Sequence, residues 1–287
     1  MAEIHHFEYG WITPTLSYAL SVLGSLLGLT CAVRTRQAHT PGRRAWWLIL
    51  AAWAIGGTGI WTMHFMAMLG FGVVGSQIRY DVPTTAASAL IAIVVVGIGL
   101  FLANLGRPAL WKVAIGGMLT GLGVAAMHYT GMAAMRLNGH VTYDRRLFVA
   151  SIVIAVVAAS VALWLTVNVR GSLAIIGSAL VMGVAVNGMH FTGMAAMAVH
   201  LDATPRPVSG ARAATLLLPI VLAVICVVVA LIYAVLAAPT EEDRLGAAYV
   251  NARIAGRTAA PTSPAQPGRP GVPRRPTSFV GRDQLRR

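Results

Sequence analysis

MHYTGMAAM occupies residues 127–135, and MHFTGMAAM returns at 189–197. A looser copy, MHFMAM, sits at 63–68. Each copy sets a histidine among methionines inside a long apolar segment, and the reading of those segments decides the fold. The run around the middle copy, 112–135, carries one charge, Lys112. As a helix rising about 1.5 Å per residue it is long enough to cross a hydrocarbon layer of ~30 Å. Six more runs of this kind lie near 14–33, 45–70, 84–105, 147–168, 173–197 and 214–238. They end at charge, proline or glycine, as in RTRQAHTPGRR (34–44) and NLGRPALWK (104–112).

The whole composition agrees. Of 287 residues, 57% are hydrophobic and 11% charged, which is not the balance of a water-soluble domain. The sequence predicts an all-α polytopic membrane protein with seven transmembrane helices. An N-terminal arm (1–13) precedes the seven-helix domain (14–238), and a basic Pro/Arg-rich tail (239–287) follows it. The leader MAEIHHFEYG is acidic, and the first run is too long for a signal-peptide core, so the first run reads as a retained span.

Arginine placement orients the chain. With the N-terminus outside, the inner side holds Arg34, Arg36, Arg43, Arg44, Arg107, Lys112, Arg170 and the nine arginines of the tail. The outer side holds Arg79, Arg136, Arg145, Arg146, Arg206 and Arg212. This bias predicts N-out and C-in. The net charge of +13 is then spent at the inner face, where anionic lipid headgroups are the expected partners. The basic residues are scattered over loops and tail without a nucleic-acid-binding module, which excludes that function class. Cys31 and Cys226 lie in separate helices and are expected to be buried, inert thiols. Trp11, Trp46, Trp47, Trp61 and Trp111 fall near helix ends, where indoles favour the membrane interface.

The internal repeat organises the domain. His64, His128 and His190 close the second, fourth and sixth runs, so the unit is a pair of helices, with the seventh outside the triplication. Gly57, Gly121 and Gly183 precede the histidines by seven positions and are expected to allow close helix approach. On a helix, residues i, i+4 and i+7 share a face. His128, Met132 and Met135 therefore form a stripe, as do His190, Met194 and Met197. The first copy keeps His64 and Met68 and replaces the third member with Phe71. Even-numbered spans all run outward, so the three stripes reach one depth near the outer face.

Imidazole suits copper, zinc, iron and nickel, and thioether sulfur favours Cu(I). No carboxylate or thiol lies in the stripes. Copper is the best-matched ion, held by His64, Met68, His128, Met132, His190 and Met194. Haem is the alternative, since histidine and methionine are also its axial ligands. A second tier of candidate ligands comprises Met63, Met127, Met135, Met189, Met197, His5 and His6. The methionines before each histidine point about 100° away from the stripe, toward a neighbouring face. Tyr129 and Asn187 are candidate supporting residues, with Asn187 expected to hydrogen-bond across helices. His140 and His200 are outer-loop residues that can assist. A retinal pigment is excluded because the one lysine, Lys112, lies at the inner end of its helix. A transporter wants ligating groups at several depths, whereas here they gather at one. No carboxylate pair, nucleophile–base motif or phosphate loop lies in the membrane region, so no enzymatic activity is expected.

WTMHFMAM (61–68), MHYTGMAAM, MHFTGMAAM and the seven-helix layout resemble the MHYT-domain family of bacterial integral-membrane sensors. The resemblance covers about 10–238. It implies a copper site near the outer face and a role in sensing oxygen, carbon monoxide or nitric oxide. Its motif positions fall on Met63, His64, Met68, Met127, His128, Tyr129, Met132, Met189, His190 and Met194. The tyrosine stands only in the second copy, with Phe65 and Phe191 in the others, so a phenol at every copy is not required. Many family members fuse this unit to a cyclic-dinucleotide enzyme or a kinase. The tail here is expected to carry a short helix and then disorder. The resulting expectation is a stand-alone sensor that answers a diatomic gas or redox state and signals to a cytoplasmic partner. The alternative is a haem- or copper-bearing redox protein, with copper transport a weaker third.

Overall fold

The computed structural model describes residues 2–5, 7–104, 106, 109–204, 207–238 and 241–258. It divides into two units, Met1–Ala238 and Pro239–Arg287. Among the described residues, seven helices are long and apolar enough to cross a membrane. They are α1 (Ile12–Gln37), α2 (Pro41–Met68), α3 (Val82–Asn104), α4 (Leu110–Ala133), α5 (Arg145–Asn168), α6 (Ser172–Ala195) and α7 (Ala213–Leu236). In the second unit, α8 spans Glu241–Thr258, the short helix expected there. The expected disorder beyond it falls outside the described residues.

The helices start where their sequences provide caps. Thr40 accepts from the Arg43 amide ahead of α2, with Pro41 as first helical residue. Asp144 accepts from the Arg146 and Leu147 amides ahead of α5. Asp81 accepts from the amide and hydroxyl of Thr84 at the start of α3, and Arg136 meets its other oxygen at 2.5 Å. The Thr84 donors and the Arg136 charge hold the Asp81 carboxyl below its ordinary range. At the opposite end of the bundle, Arg36 donates to the carbonyls of Thr166 and Val169 that close α5. That arginine therefore satisfies a helix C-terminus, rather than lipid headgroups alone.

Six of the spans form a closed ring, α1 through α6 in order, with α6 returning to pack on α1. The seventh, α7, stands outside the ring against α2. In its most apolar stretch α7 is only 6% buried, whereas α2 is 72% buried.

Three short antiparallel ribbons, unexpected from the sequence, cap the histidine end. They pair β1 (Ile4–His5) with β2 (Gly72–Val73), β3 (Arg79–Tyr80) with β4 (Met135–Arg136), and β5 (Gly139–Tyr143) with β6 (Met197–Leu201). Each ribbon joins the strand before an odd helix to the strand after the next even helix. The structural repeat is thus strand–helix–helix–strand, three times, around a pseudo-threefold axis.

The second span departs from the others. It is α-helical over Pro41–Ala52, π-helical over Trp53–Thr62, and α-helical again over Met63–Met68. The Thr62 hydroxyl donates to Gly57 O at 2.9 Å within this widened stretch. Long π-helices are rare, and shorter π-bulges are frequent at functional sites.

The expected role of the three glycines holds for two of them. A Cβ on Gly121 would lie 2.4 Å from Val156 Cα, and one on Gly183 would lie 2.7 Å from Val22 Cγ2. Gly57 has only ordinary contact, its nearest neighbour 3.6 Å away. In the π-helical first copy the close approaches are at Gly56, where a Cβ would lie 2.7 Å from Ala92 O of α3, and at Gly24 of α1, where one would lie 2.3 Å from the Gly59 amide nitrogen. Gly121→Ala is accordingly expected to destabilise the protein in detergent by about 1–3 kcal/mol, the usual range for overpacking. Gly57→Ala should lie near neutral, and thermal unfolding of the pair measures the difference.

Two further expectations are corrected. Cys31 is buried, but Cys226 is exposed on α7, since α7 lies outside the ring. Trp47 is buried at 8% exposure, and Trp61 donates its indole N–H to Ser88 Oγ at 3.0 Å. Neither rests at a free interface.

Candidate metal centre

The three histidines meet on the ring axis. His64 follows the π-helical stretch, four residues before the end of α2, and His128 and His190 each sit five residues before the ends of α4 and α6. At about 1.5 Å per residue they lie ~6–8 Å below the helix ends. All three are fully buried, at 0–2% exposure. Their ring centroids are 4.9, 5.0 and 5.1 Å apart, with interplanar angles of 70°, 78° and 88°. The rings thus face one another edge to face around a nearly equilateral triangle.

Their Nδ1 atoms converge. His64 Nδ1 lies 3.0 Å from His190 Nδ1 and 3.2 Å from His128 Nδ1. The three side chains form the metal-competent histidine, cysteine or carboxylate cluster among the described residues. Three nitrogens at about 2.0 Å around one ion stand roughly 3.5 Å apart in a trigonal arrangement. The observed spacings fall a few tenths of an ångström short of that. The three Nε2 atoms are buried without a hydrogen-bond partner. The tautomer that places each proton on Nε2 leaves three lone pairs facing one centre, a cluster that a cation stabilises.

What holds the rings is glycine. A Cβ on Gly131 would lie 2.3 Å from His64 Nε2, and one on Gly193 would lie 2.3 Å from His128 Nε2. Each of these histidines therefore packs its outer edge against the bare backbone of the next histidine-bearing helix. The corresponding residue in the first copy is Ala67, also buried. These glycines carry no chemistry of their own. The signal for them is the TGM that follows the histidine in the second and third copies alone.

The methionines sort into two levels. Met68, Met132, Met135, Met194 and Met197 pack with Phe71 in one buried cluster, with Val73, Tyr80 and Val199 of the ribbons. The helical stripe holds as far as Met68, Met132 and Met194; Phe71 lies past the end of α2, and Met135 and Met197 open strands β4 and β6, yet all six join one sulfur-rich layer between the triad and the cap. Met63, Met127 and Met189 are buried as well. Met127 and Met189 belong to the larger core, apart from that layer.

The remaining candidates lie elsewhere. His5 is on β1, half-exposed beside Glu3, and His6 falls outside the described residues. His140 and His200 face each other across the β5–β6 ribbon, their rings stacked 5.1 Å apart. The Tyr129 hydroxyl pairs with Ser151 Oγ at 2.6 Å, on α5, while its ring packs edge-on against His128. Tyr129 therefore braces the His128 ring rather than pointing its phenol at the triad. Asn187 donates to Ser21 Oγ at 3.0 Å and Gly183 O at 2.8 Å, which ties α6 to α1 as expected.

The sequence profile described as "Bacterial signalling protein N terminal repeat", MHYT, matches residues 57–117, 121–179 and 183–247. Its repeats begin at Gly57, Gly121 and Gly183, so the profile opens each unit on the motif and carries the seventh span into the third unit. The helix ring and the ribbons pair the spans one step earlier. The chain is 39% identical over 239 residues to the bifunctional diguanylate cyclase/cyclic di-GMP phosphodiesterase MucR of Pseudomonas aeruginosa, covering 80% of this chain and 34% of that protein. It is 36% identical over 199 residues to the cyclic di-GMP phosphodiesterase NbdA of the same organism, covering 67% and 25%. It is 31% identical over 209 residues to the signaling protein YkoW of Bacillus subtilis, covering 70% and 25%. The chain thus spans about a third or less of the length of these curated relatives. No solved structure matches it.

Proposed function

The chain belongs to the MHYT family of bacterial signalling proteins, a multi-pass membrane sensor family, and from that premise we propose that it senses through a copper ion held by His64, His128 and His190. The observation that carries the proposal is the convergence of three buried imidazoles, with His64 Nδ1 3.0 Å from His190 Nδ1 and 3.2 Å from His128 Nδ1 and every Nε2 without a hydrogen-bond partner. With three imidazoles and a neighbouring methionine layer, the donor set is soft and neutral, which favours Cu(I) over hard cations. The methionine layer offers Met68, Met132 or Met194 as a further ligand. With N-out orientation the site lies under the outer face.

In this reading the copper supplies a centre whose coordination changes with its oxidation state or with an added diatomic ligand. The protein holds three neutral imidazoles, excludes water and couples ring positions to helix positions. Because each imidazole comes from a different helix pair, a change at the centre alters how the pairs sit against one another. That is a ligand-biased equilibrium between bundle arrangements. A cytoplasmic partner reads it. The relatives' names point to cyclic di-GMP synthesis and breakdown as the class of output. The membrane domain itself performs no catalysis in this proposal.

The spacing of the rings favours an ion over haem, since centroids about 5 Å apart leave no gap for a macrocycle among them. The full chain, purified in detergent after growth with copper, is expected to carry close to one copper per chain and no Soret band. A Soret band, or copper at background level with zinc in its place, overturns the assignment.

A further inference from the structure

Beyond the triad, on the side away from the methionine layer, the ring encloses a cavity of about 50 Å³. Its position follows the repeat. Ile60, Val124 and Val186 all line it, and each stands four residues before its histidine. One wall is therefore built from all three histidine helices, one turn from the triad. Met189, next to His190, lines it as well.

The wall is apolar. Of the lining residues only Thr120 and Thr166 carry hydroxyls. Thr120 donates to Val95 O at 3.3 Å and Thr166 to Leu163 O at 2.7 Å. A water needs two to four polar partners, and this cavity offers only the acceptor side of two hydroxyls whose protons are already committed. Apolar cavities of this type stay dry and take apolar guests such as xenon. At about 50 Å³ the guest is limited to a few atoms, since one water's share of liquid is ~30 Å³. On the α5–α6 side the lining is Ala158, Ala162 and Ala185, each only partly buried. Small side chains there give an apolar molecule dissolved in the bilayer a short lateral way in.

We infer that this cavity is a docking chamber for an apolar molecule of diatomic size, held one helical turn from the histidine triad. That such a guest serves as a signal rests on the sensor reading above, whereas its binding does not.

The test uses the full chain in nanodiscs, without copper, with labelled methionine and valine methyl groups under xenon pressure. The resonances of Met189, Val124 and Val186 are expected to shift saturably. Val157, which faces outward on α5 at 57% exposure, should show only the linear drift of xenon dissolved in lipid. Ala159→Leu fills the chamber from a lining position and should weaken the saturable response at least tenfold. Oxygen-induced relaxation of the same methyl groups in the unaltered protein gives a second readout that needs no variant. Linear response at all four sites, or saturation that survives in a folded Ala159→Leu protein, overturns the chamber. Copper content is measured separately. Copper without a xenon site removes the chamber and leaves the metal proposal standing; a xenon site without copper does the reverse.

Discussion

His128→Ala, His64→Ala and His190→Ala are each expected to lower copper affinity by more than ~100-fold, beyond the 10–100-fold typical of losing an outer-shell partner. Each removal leaves two imidazoles where three converge, and no other histidine, cysteine or carboxylate among the described residues joins the cluster. The three variants should behave alike, because the centroid triangle is nearly equilateral, at 4.9–5.1 Å a side. Stability separates this from a packing role. A ligand that binds only the folded protein stabilises it by ~2.7 kcal/mol at one hundred times its dissociation constant. Wild-type protein should therefore unfold at a higher temperature with copper than without, and the variants should show no such gain. Without metal, the variants should lose little, since each deletion also removes a buried Nε2 that has no partner. Equal destabilisation with and without copper would mean that the triad is a polar packing cluster.

Gly131→Ala and Gly193→Ala carry the second large effect. The new methyl would sit 2.3 Å from His64 Nε2 in the first case and from His128 Nε2 in the second. The ring must swing, or the helices must part. Overpacking of this kind costs about 1–3 kcal/mol. The larger consequence is for the metal, since functional geometry tolerates only ~0.5 Å of displacement. Copper affinity is expected to fall at least tenfold. Gly188→Ala is the internal control, one turn earlier on α6 with open space around it. There the substitution should be neutral or stabilising by up to about 1 kcal/mol through helix propensity. The double variant His64→Ala/Gly131→Ala should recover stability relative to Gly131→Ala, because the ring that clashes has gone. Additive losses in that cycle would show that Gly131 acts on something other than His64.

The sequence made the seven spans legible through run length alone, and the paired-helix unit through the spacing of His64, His128 and His190. The stripes from each histidine to Met68, Met132 and Met194 were legible because helical period is a local property. The ribbons were not. Two of them pair strands of two residues, too short for any alternation of apolar and polar positions to register. The π-helical stretch was hidden for a similar reason: WAIGGTGIWT offers glycines but no composition that separates π from α. Gly57 matches Gly121 and Gly183 in spacing, but the altered helix type in the first copy puts the tight contact at Gly56. Tyr129 supports His128 through its ring, but the partner of its hydroxyl, Ser151, comes from a different helix pair and no local pattern shows it. The cavity depends on side-chain volumes from five helices at once, and no stretch of chain encodes it locally.

The closed ring has a mechanical consequence. Six helices in a circle, with one donor from every second member, work like a drawstring at the level of the triad. An ion gripped by all three donors sets the circumference there, and no pair can swing outward without stretching a bond to it. A shift of a fraction of an ångström at the centre is thereby shared among three rods, each some 24–28 residues long, and it reaches their far ends as a change in girth rather than as the tilt of one helix.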